Sequence, residues 1–305
     1  MTRVAAIDCG TNSVRLLIAD LDGGDLSDVE RRMEIVRLGA GVDRTGKLAP
    51  EALERTFTAM RGYAELVRSH GATKVRVVAT SATRDASNRD EFAGGVHEIF
   101  GVRPEVVTGA EEAHLSFLGA TAGVHGAEPP VLVVDIGGGS TEFVLGTADV
   151  DAAISVDIGC VRLTERHFSG GEPRVAAATA DIDAALDQVA AEVPVSRART
   201  LVGLAGSVTT VAGIALDLPA YDPARIHGSR LPAAKVHEVS RRLLAMTHDE
   251  RAAIPVMHPG RVDVIGAGAL ILDRLVERFG FADVLVSEHD ILDGIARGLG
   301  EEPPS

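Results

Sequence analysis

Val133–Phe143 reads VVDIGGGSTEF: an apolar run closing on an aspartate, three adjacent glycines, then Ser-Thr-Glu and a return to apolar residues. Adjacent glycines lose the most backbone freedom on folding and pack no side chain, so the run implies a backbone that something must approach closely. The stretch has a second copy. Ala5–Leu17 (AAIDCGTNSVRLL) lies over Leu132–Val144 (LVVDIGGGSTEFV), with Asp8 on Asp135, Gly10 on Gly137, Ser13 on Ser140 and apolar residues matched on both sides. Two copies of strand-Asp-x-Gly-x-x-Ser-strand predict two similar half-molecules, with a ligand in the cleft between them.

The rest of the chain supports an α/β class. Its 305 residues are long for one core and favour two domains. Val4–Ile7 and Arg15–Asp20 read as a hairpin, and Pro50–Ser69 spaces Leu53, Phe57, Met60, Tyr63 and Val67 at helical intervals. Lys74–Ala79 is a short β-rich run, Asn88 resembles a helix cap, and Arg103–Val107, a helix from Ala110 to Gly119 and Val131–Val134 continue the alternation. The second half repeats it: strands at Ala152–Val156, Thr200–Leu204 and Val284–Ser287, and helices at Val161–Phe168, Arg174–Val193, Leu231–Met246, Arg261–Phe279 and Asp290–Gly298. The expected division is 1–122 and 123–287, with the C-terminal helix in 288–305 packing back on the first domain and the tail Glu301–Ser305 frayed.

Composition excludes several classes. Lys+Arg number 30 against 44 Asp+Glu, a formal charge of −14, which argues against a nucleic-acid or anionic-membrane coat but not against a locally held anion. Cys9 and Cys160 are far apart and show no metal-ligand spacing, and no run of about 18 apolar residues occurs. A soluble protein of the reducing cytoplasm is expected. There is no G-x-S-x-G elbow and no H-x-x-x-H pair.

The repeated turns carry the chemistry. Each places a carboxylate at a strand end before residues with small side chains, so that successive N–H groups and one or two hydroxyls form a phosphate cradle. Asp8 and Asp135 then suit Mg²⁺, which prefers oxygen ligands and keeps several waters beside substrate phosphates. Tight turns with Asp as turn former are the plain alternative. Thr108–Leu115 (TGAEEAHL) opens a helix with Glu111 and Glu112 in its first turn, where the helix dipole favours any carboxylate and where one could also serve as general base. Arg84, after Val77–Thr83, can fork onto phosphate or pair with Asp85 or Asp90. Thr200–Thr210 (TLVGLAGSVTT) is a third small-residue turn, suited to a nucleotide or to close packing. Gly41–Leu48 (GVDRTGKL) imitates a phosphate-binding loop but has Leu48 at the Ser/Thr position, so an exposed loop is expected.

VAAIDCGTNSVRLLIAD, VVATSATRDASNRDEF, TGAEEAHLSFLGA, VVDIGGGSTEFVLG, GCVRLTERHF and GLAGSVTTVAGIAL follow one another in the order and spacing of the Ppx/GppA phosphatases, the exopolyphosphatases and guanosine pentaphosphate phosphohydrolases. The chain resembles the short, two-domain members over essentially its whole length. The resemblance implies two actin-like (ribonuclease H-like) α/β domains with an interdomain cleft. It implies Glu112 as the base that activates water, and Arg84 as a phosphate-contacting catalytic arginine. Asp135 and Glu142 become metal and water-positioning carboxylates with Asp8 as their counterpart. Asn12, Ser13, Gly138, Gly139, Ser140 and Thr141 become phosphate-loop positions, and Arg261, with Gly206 and Ser207, further substrate contacts. One departure stands out: Leu292 occupies the place of the family's arginine in G-L-R-E-G.

The expected activity is Mg²⁺-dependent release of terminal orthophosphate from inorganic polyphosphate, with Mn²⁺ as the alternative metal. Hydrolysis of guanosine pentaphosphate in the stringent response, a non-catalytic polyphosphate or alarmone sensor, and a sugar kinase are the other readings. A homodimer is the expected assembly.

Overall fold

The computed structural model describes residues 2–22, 25–169 and 172–300, so the tail Glu301–Ser305 lies outside the described residues. The chain divides into two compact units, one running up to Gly119 and resuming at Ile291, the other Ala120–Asp290.

In the first unit β1 (Thr2–Cys9), β2 (Ser13–Asp22), β3 (Asp25–Ile35), β4 (Lys74–Ala79) and β5 (Glu105–Val106) form a sheet ordered β3-β2-β1-β4-β5. The first three make an antiparallel meander, and β4 and β5 run parallel to β1. Alternation sends successive side chains to opposite faces. Ala5, Ile7, Leu16 and Ile18 join Leu53, Met60, Tyr63 and Phe92 from the helices Pro50–Ser69 and Arg89–Phe100 on one side. Val4, Ala6, Leu17 and Ala19 join Leu115, Ile291, Leu292 and Ile295 on the other, where the helices Gly109–Gly123 and Ile291–Gly298 meet. Leu292 is therefore an apolar core residue, and its neighbour Asp293 pairs with Arg31 at 2.6 Å.

The second unit holds β6 (Val131–Ile136), β7 (Thr141–Gly146), β8 (Val150–Val156), β9 (Thr200–Leu204), β10 (Arg230–Pro232) and β11 (Asp283–Val286), ordered β10-β11-β9-β6-β7-β8. Read from β8, this is the same plan: a meander β8-β7-β6 followed by parallel β9 and β11, with β10 added antiparallel at the edge. Every residue of β6 and β7 is buried. Among the described residues no helix is long and apolar enough to cross a membrane. Cys9 and Cys160 are free, buried thiols whose pKa values burial raises.

Several local expectations are corrected. β3 (DLSDVERRMEI), for which no element was expected, is a highly charged edge strand, where charge on the outer rim is favourable. Leu231–Met246 splits into β10 and a helix Ala233–Ala245, because Pro232 occupies the cap position and Arg230 pairs with Leu285. The segment Val161–Phe168 is a short α-helix, Cys160–Leu163, running into a π-turn, Thr164–Phe168. Asn88 stands at the N-cap position as expected but its side chain makes no capping bond; the side-chain amide instead exchanges two hydrogen bonds with the Leu48 backbone, at 2.9 and 3.1 Å. The Gly41–Leu48 segment is not an exposed loop throughout, because Val42 and Leu48 are buried in the core.

Candidate active site

In the first unit the carboxyl ends of the parallel strands β1, β4 and β5 carry the expected site residues, the edge where open α/β sheets bind ligands. After β1 comes the turn with Asn12 and Ser13, closed by Gly10 N–H donating to Ser13 O at 2.9 Å. Asp8 is buried and faces Arg15 directly across the hairpin, and Arg15 Nη2 donates to its Oδ2 at 2.6 Å. After β4, Arg84 Nη1 donates to Val107 O at 3.1 Å and to Glu112 Oε2 at 3.0 Å. Asp85 and Asp90 are thus not its partners in these bonds.

The two adjacent glutamates divide the work between them. Glu111 accepts from the Thr108 backbone N–H and hydroxyl at 2.8 and 2.9 Å, and Thr108 Oγ1 accepts from Glu111 N–H, a reciprocal cap. Those bonds hold the Glu111 carboxyl below its ordinary pKa. Glu112 is buried and reaches Arg84 instead. The capping role therefore falls to Glu111, while Glu112 reaches across to Arg84.

In the second unit Asp135 faces Glu142 directly across the β6–β7 hairpin, both buried. Ser155 Oγ donates to Glu142 Oε1 at 2.7 Å. Between them the glycine turn is closed by Gly137 N–H to Ser140 O at 3.1 Å. Its carbonyls are occupied: Gly137 O accepts from Cys160 N–H, Gly138 O from Val161 and Arg162 N–H, and Gly139 O from Arg162 Nε at 2.6 Å. The Thr141 hydroxyl donates to Ile158 O. Among the described residues no group of three or more His, Cys, Asp or Glu is placed to hold a metal.

The turn after β9 is strained: Ala205 adopts a left-handed φ of 68°, sparsely populated for a residue with a Cβ. It leads into the helix Ala205–Ala215. The Arg261 guanidinium lies on Gly206, where a Cβ would fall 2.3 Å from Nη2, and Nη1 donates to Thr210 Oγ1 at 3.1 Å. Ser207 hydrogen-bonds Cys160.

The family model for the Ppx/GppA phosphatase family matches residues 17–298. The chain belongs to the Ppx/GppA phosphatases. It is 52% identical to exopolyphosphatase 2 of Mycobacterium tuberculosis, with 98% of this chain and 99% of that protein covered. A solved exopolyphosphatase-like protein, 42% identical, superposes with a TM-score of 0.92 over 96% of this chain and 97% of its own. The Aquifex aeolicus PPX-GPPA enzyme is 33% identical, with a TM-score of 0.81 over 98% and 99%. The two sheets are thus the actin-like α/β architecture of Ppx/GppA enzymes.

In this phosphatase Asp8, Asn12, Ser13, Arg84 and Glu112 lie in the first unit, and Asp135, Gly138–Thr141, Glu142, Gly206, Ser207 and Arg261 in the second. Sequence reasoning missed Arg15, although the repeat sets it in the place of Glu142: the first hairpin has Asp8–Arg15 where the second has Asp135–Glu142. It also assigned no role to Arg162, although GCVRLTERHF is one of the motifs that carry the resemblance. Gly159 is demanded by close approach, since a Cβ there would fall 2.4 Å from the Gly138 carbonyl carbon and oxygen. Gly159→Ala is expected to lower unfolding free energy by about 1–3 kcal/mol, measured by urea denaturation, and to depress phosphatase activity by displacing the glycine turn.

Proposed function

We propose that the protein is an exopolyphosphatase that hydrolyses the terminal phosphoanhydride of inorganic polyphosphate and releases orthophosphate. The observation that carries this reading is the 3.0 Å Glu112–Arg84 pair, a buried carboxylate held on a guanidinium of the kind that binds phosphate. Phosphate oxygens compete with Glu112 for Arg84. As they engage the guanidinium, Glu112 is left to accept a proton from the attacking water. The water oxygen bonds to the terminal phosphorus, the bridging P–O bond breaks, and a chain one phosphate shorter leaves. Arg84 and the amides of the Asn12–Ser13 turn take up charge on the phosphate oxygens, and the Gly138–Thr141 turn offers amides of the same kind.

A divalent cation fits the Asp135–Glu142 pair, two buried carboxylates at directly opposed positions of one hairpin. Two carboxylates suit Mg²⁺, or Mn²⁺ as the alternative, because such an ion keeps waters and shares phosphate oxygens. When bound it supplies charge neutralisation on the phosphate. The name of the mycobacterial relative favours polyphosphate over guanosine pentaphosphate.

Phosphate release from polyphosphate and from guanosine pentaphosphate, with and without Mg²⁺, tests the proposal. The expected result is Mg²⁺-dependent release with the higher kcat/KM on polyphosphate. No release above background on either would leave a binding protein, and a higher kcat/KM on guanosine pentaphosphate would reverse the substrate assignment.

A further inference from the structure

The strand ends of the first unit hold two buried hydroxyls that have no hydrogen-bond partner, Ser81 Oγ and Thr83 Oγ1, both in the single turn Ser81–Asp85 after β4. Ser81 is 2% exposed and Thr83 0%. A hydroxyl can donate once and accept twice, and burying one without a partner works against folding. Such groups in a folded protein call for a specific explanation. The two residues are not equivalent. Ser81 lies three positions before Arg84, and residues three apart share a face of a helical turn; Thr83, two positions from Ser81, lies on a different face. Ala82 between them packs toward Gly39, where a Cβ would fall 3.0 Å from Ala82 Cβ and 2.3 Å from Thr11 Cγ2, so that side of the turn is filled by core.

We infer that the Ser81 hydroxyl is a further substrate contact, a hydrogen-bond donor to the terminal phosphoryl group that Arg84 holds. Its Oγ turns on one side-chain torsion and gives up no existing hydrogen bond in doing so, whereas Arg84 must first leave Glu112. A neutral donor beside a guanidinium suits a phosphate oxygen, because bonds to a charged acceptor are the stronger kind. No covalent step is involved. The inference rests on the phosphoanhydride-hydrolase reading above.

Ser81→Ala and Thr83→Val each delete one unpartnered hydroxyl, and comparing them with wild type separates contact from packing. Both variants should unfold at or above the wild-type Tm. Ser81→Ala should raise KM for long-chain polyphosphate about tenfold with kcat nearly unchanged, while Thr83→Val leaves both constants as in wild type. A wild-type KM in Ser81→Ala overturns the inference. So does a fall in its Tm, which would mean that the hydroxyl is bonded within the fold. If the wild-type enzyme itself released no phosphate, the functional reading would fail separately; the Tm increase produced by inorganic phosphate then decides, expected in wild type and Thr83→Val and diminished in Ser81→Ala. An equal increase in all three overturns the assignment.

Discussion

Glu112→Gln is expected to lower kcat on polyphosphate by about a thousandfold, within the range of 10²–10⁴ that a positioned general base contributes. Glutamine keeps the shape and can still accept from Arg84, so KM should stay within a factor of about three and the Tm near that of wild type. This pattern, kcat lost with KM retained, marks an interaction used in the transition state and not in ground-state binding. Glu111→Ala, one residue away, is the built-in comparison. It should leave kcat near wild type and lower Tm slightly through loss of the Thr108 cap. Because the folded-state pKa of Glu111 lies below its unfolded value, its contribution is present above the unfolded pKa and disappears as pH falls through the folded one, below the usual carboxylate range. The group is exposed, so the pH effect is small. A Glu111 variant as inactive as the Glu112 variant would overturn the division between them.

Asp135→Asn should raise the Mg²⁺ concentration for half-maximal phosphate release by at least about tenfold and weaken Mg²⁺ binding in calorimetry to match. The physical reason is the register: Asp135 and Glu142 stand opposite each other in one hairpin, and removing one charge leaves the ion a single carboxylate. Asp8→Asn makes the contrast. Asp8 is paired with Arg15, so its loss should lower kcat/KM by freeing Arg15 from its position while leaving the Mg²⁺ requirement unchanged. Equal metal shifts in the two variants would place the ion on both carboxylates.

Much of this architecture is legible in the sequence because it rests on local periodicity and small-residue turns. Pro50–Ser69 reads as a helix and is one, with the same ends, since its apolar spacing and its proline at the first turn agree. The strands around Asp8 and Asp135 read as buried because their apolar runs leave little alternative. β3 and β10 are illegible for the opposite reason. They are edge strands, held by one neighbour, and their composition answers to solvent more than to the core. Val42 and Leu48 bury inside what reads as a loop because burial there comes from the surrounding core residues and not from any repeat in the segment itself.

The two-fold plan, the glycine turn with its carboxylate and the pair of glutamates at one helix start are all written in short stretches of the chain. The choice of Thr108 as partner of Glu111, of Arg84 as partner of Glu112 and of Arg15 as partner of Asp8 came only with the fold. Those choices depend on which groups from distant segments come within hydrogen-bond reach: Arg84 lies 28 positions from Glu112 along the chain, yet 3.0 Å away in space. Hydrogen bonds and ion pairs act over ångströms, and a one-dimensional pattern records neighbours only along the backbone.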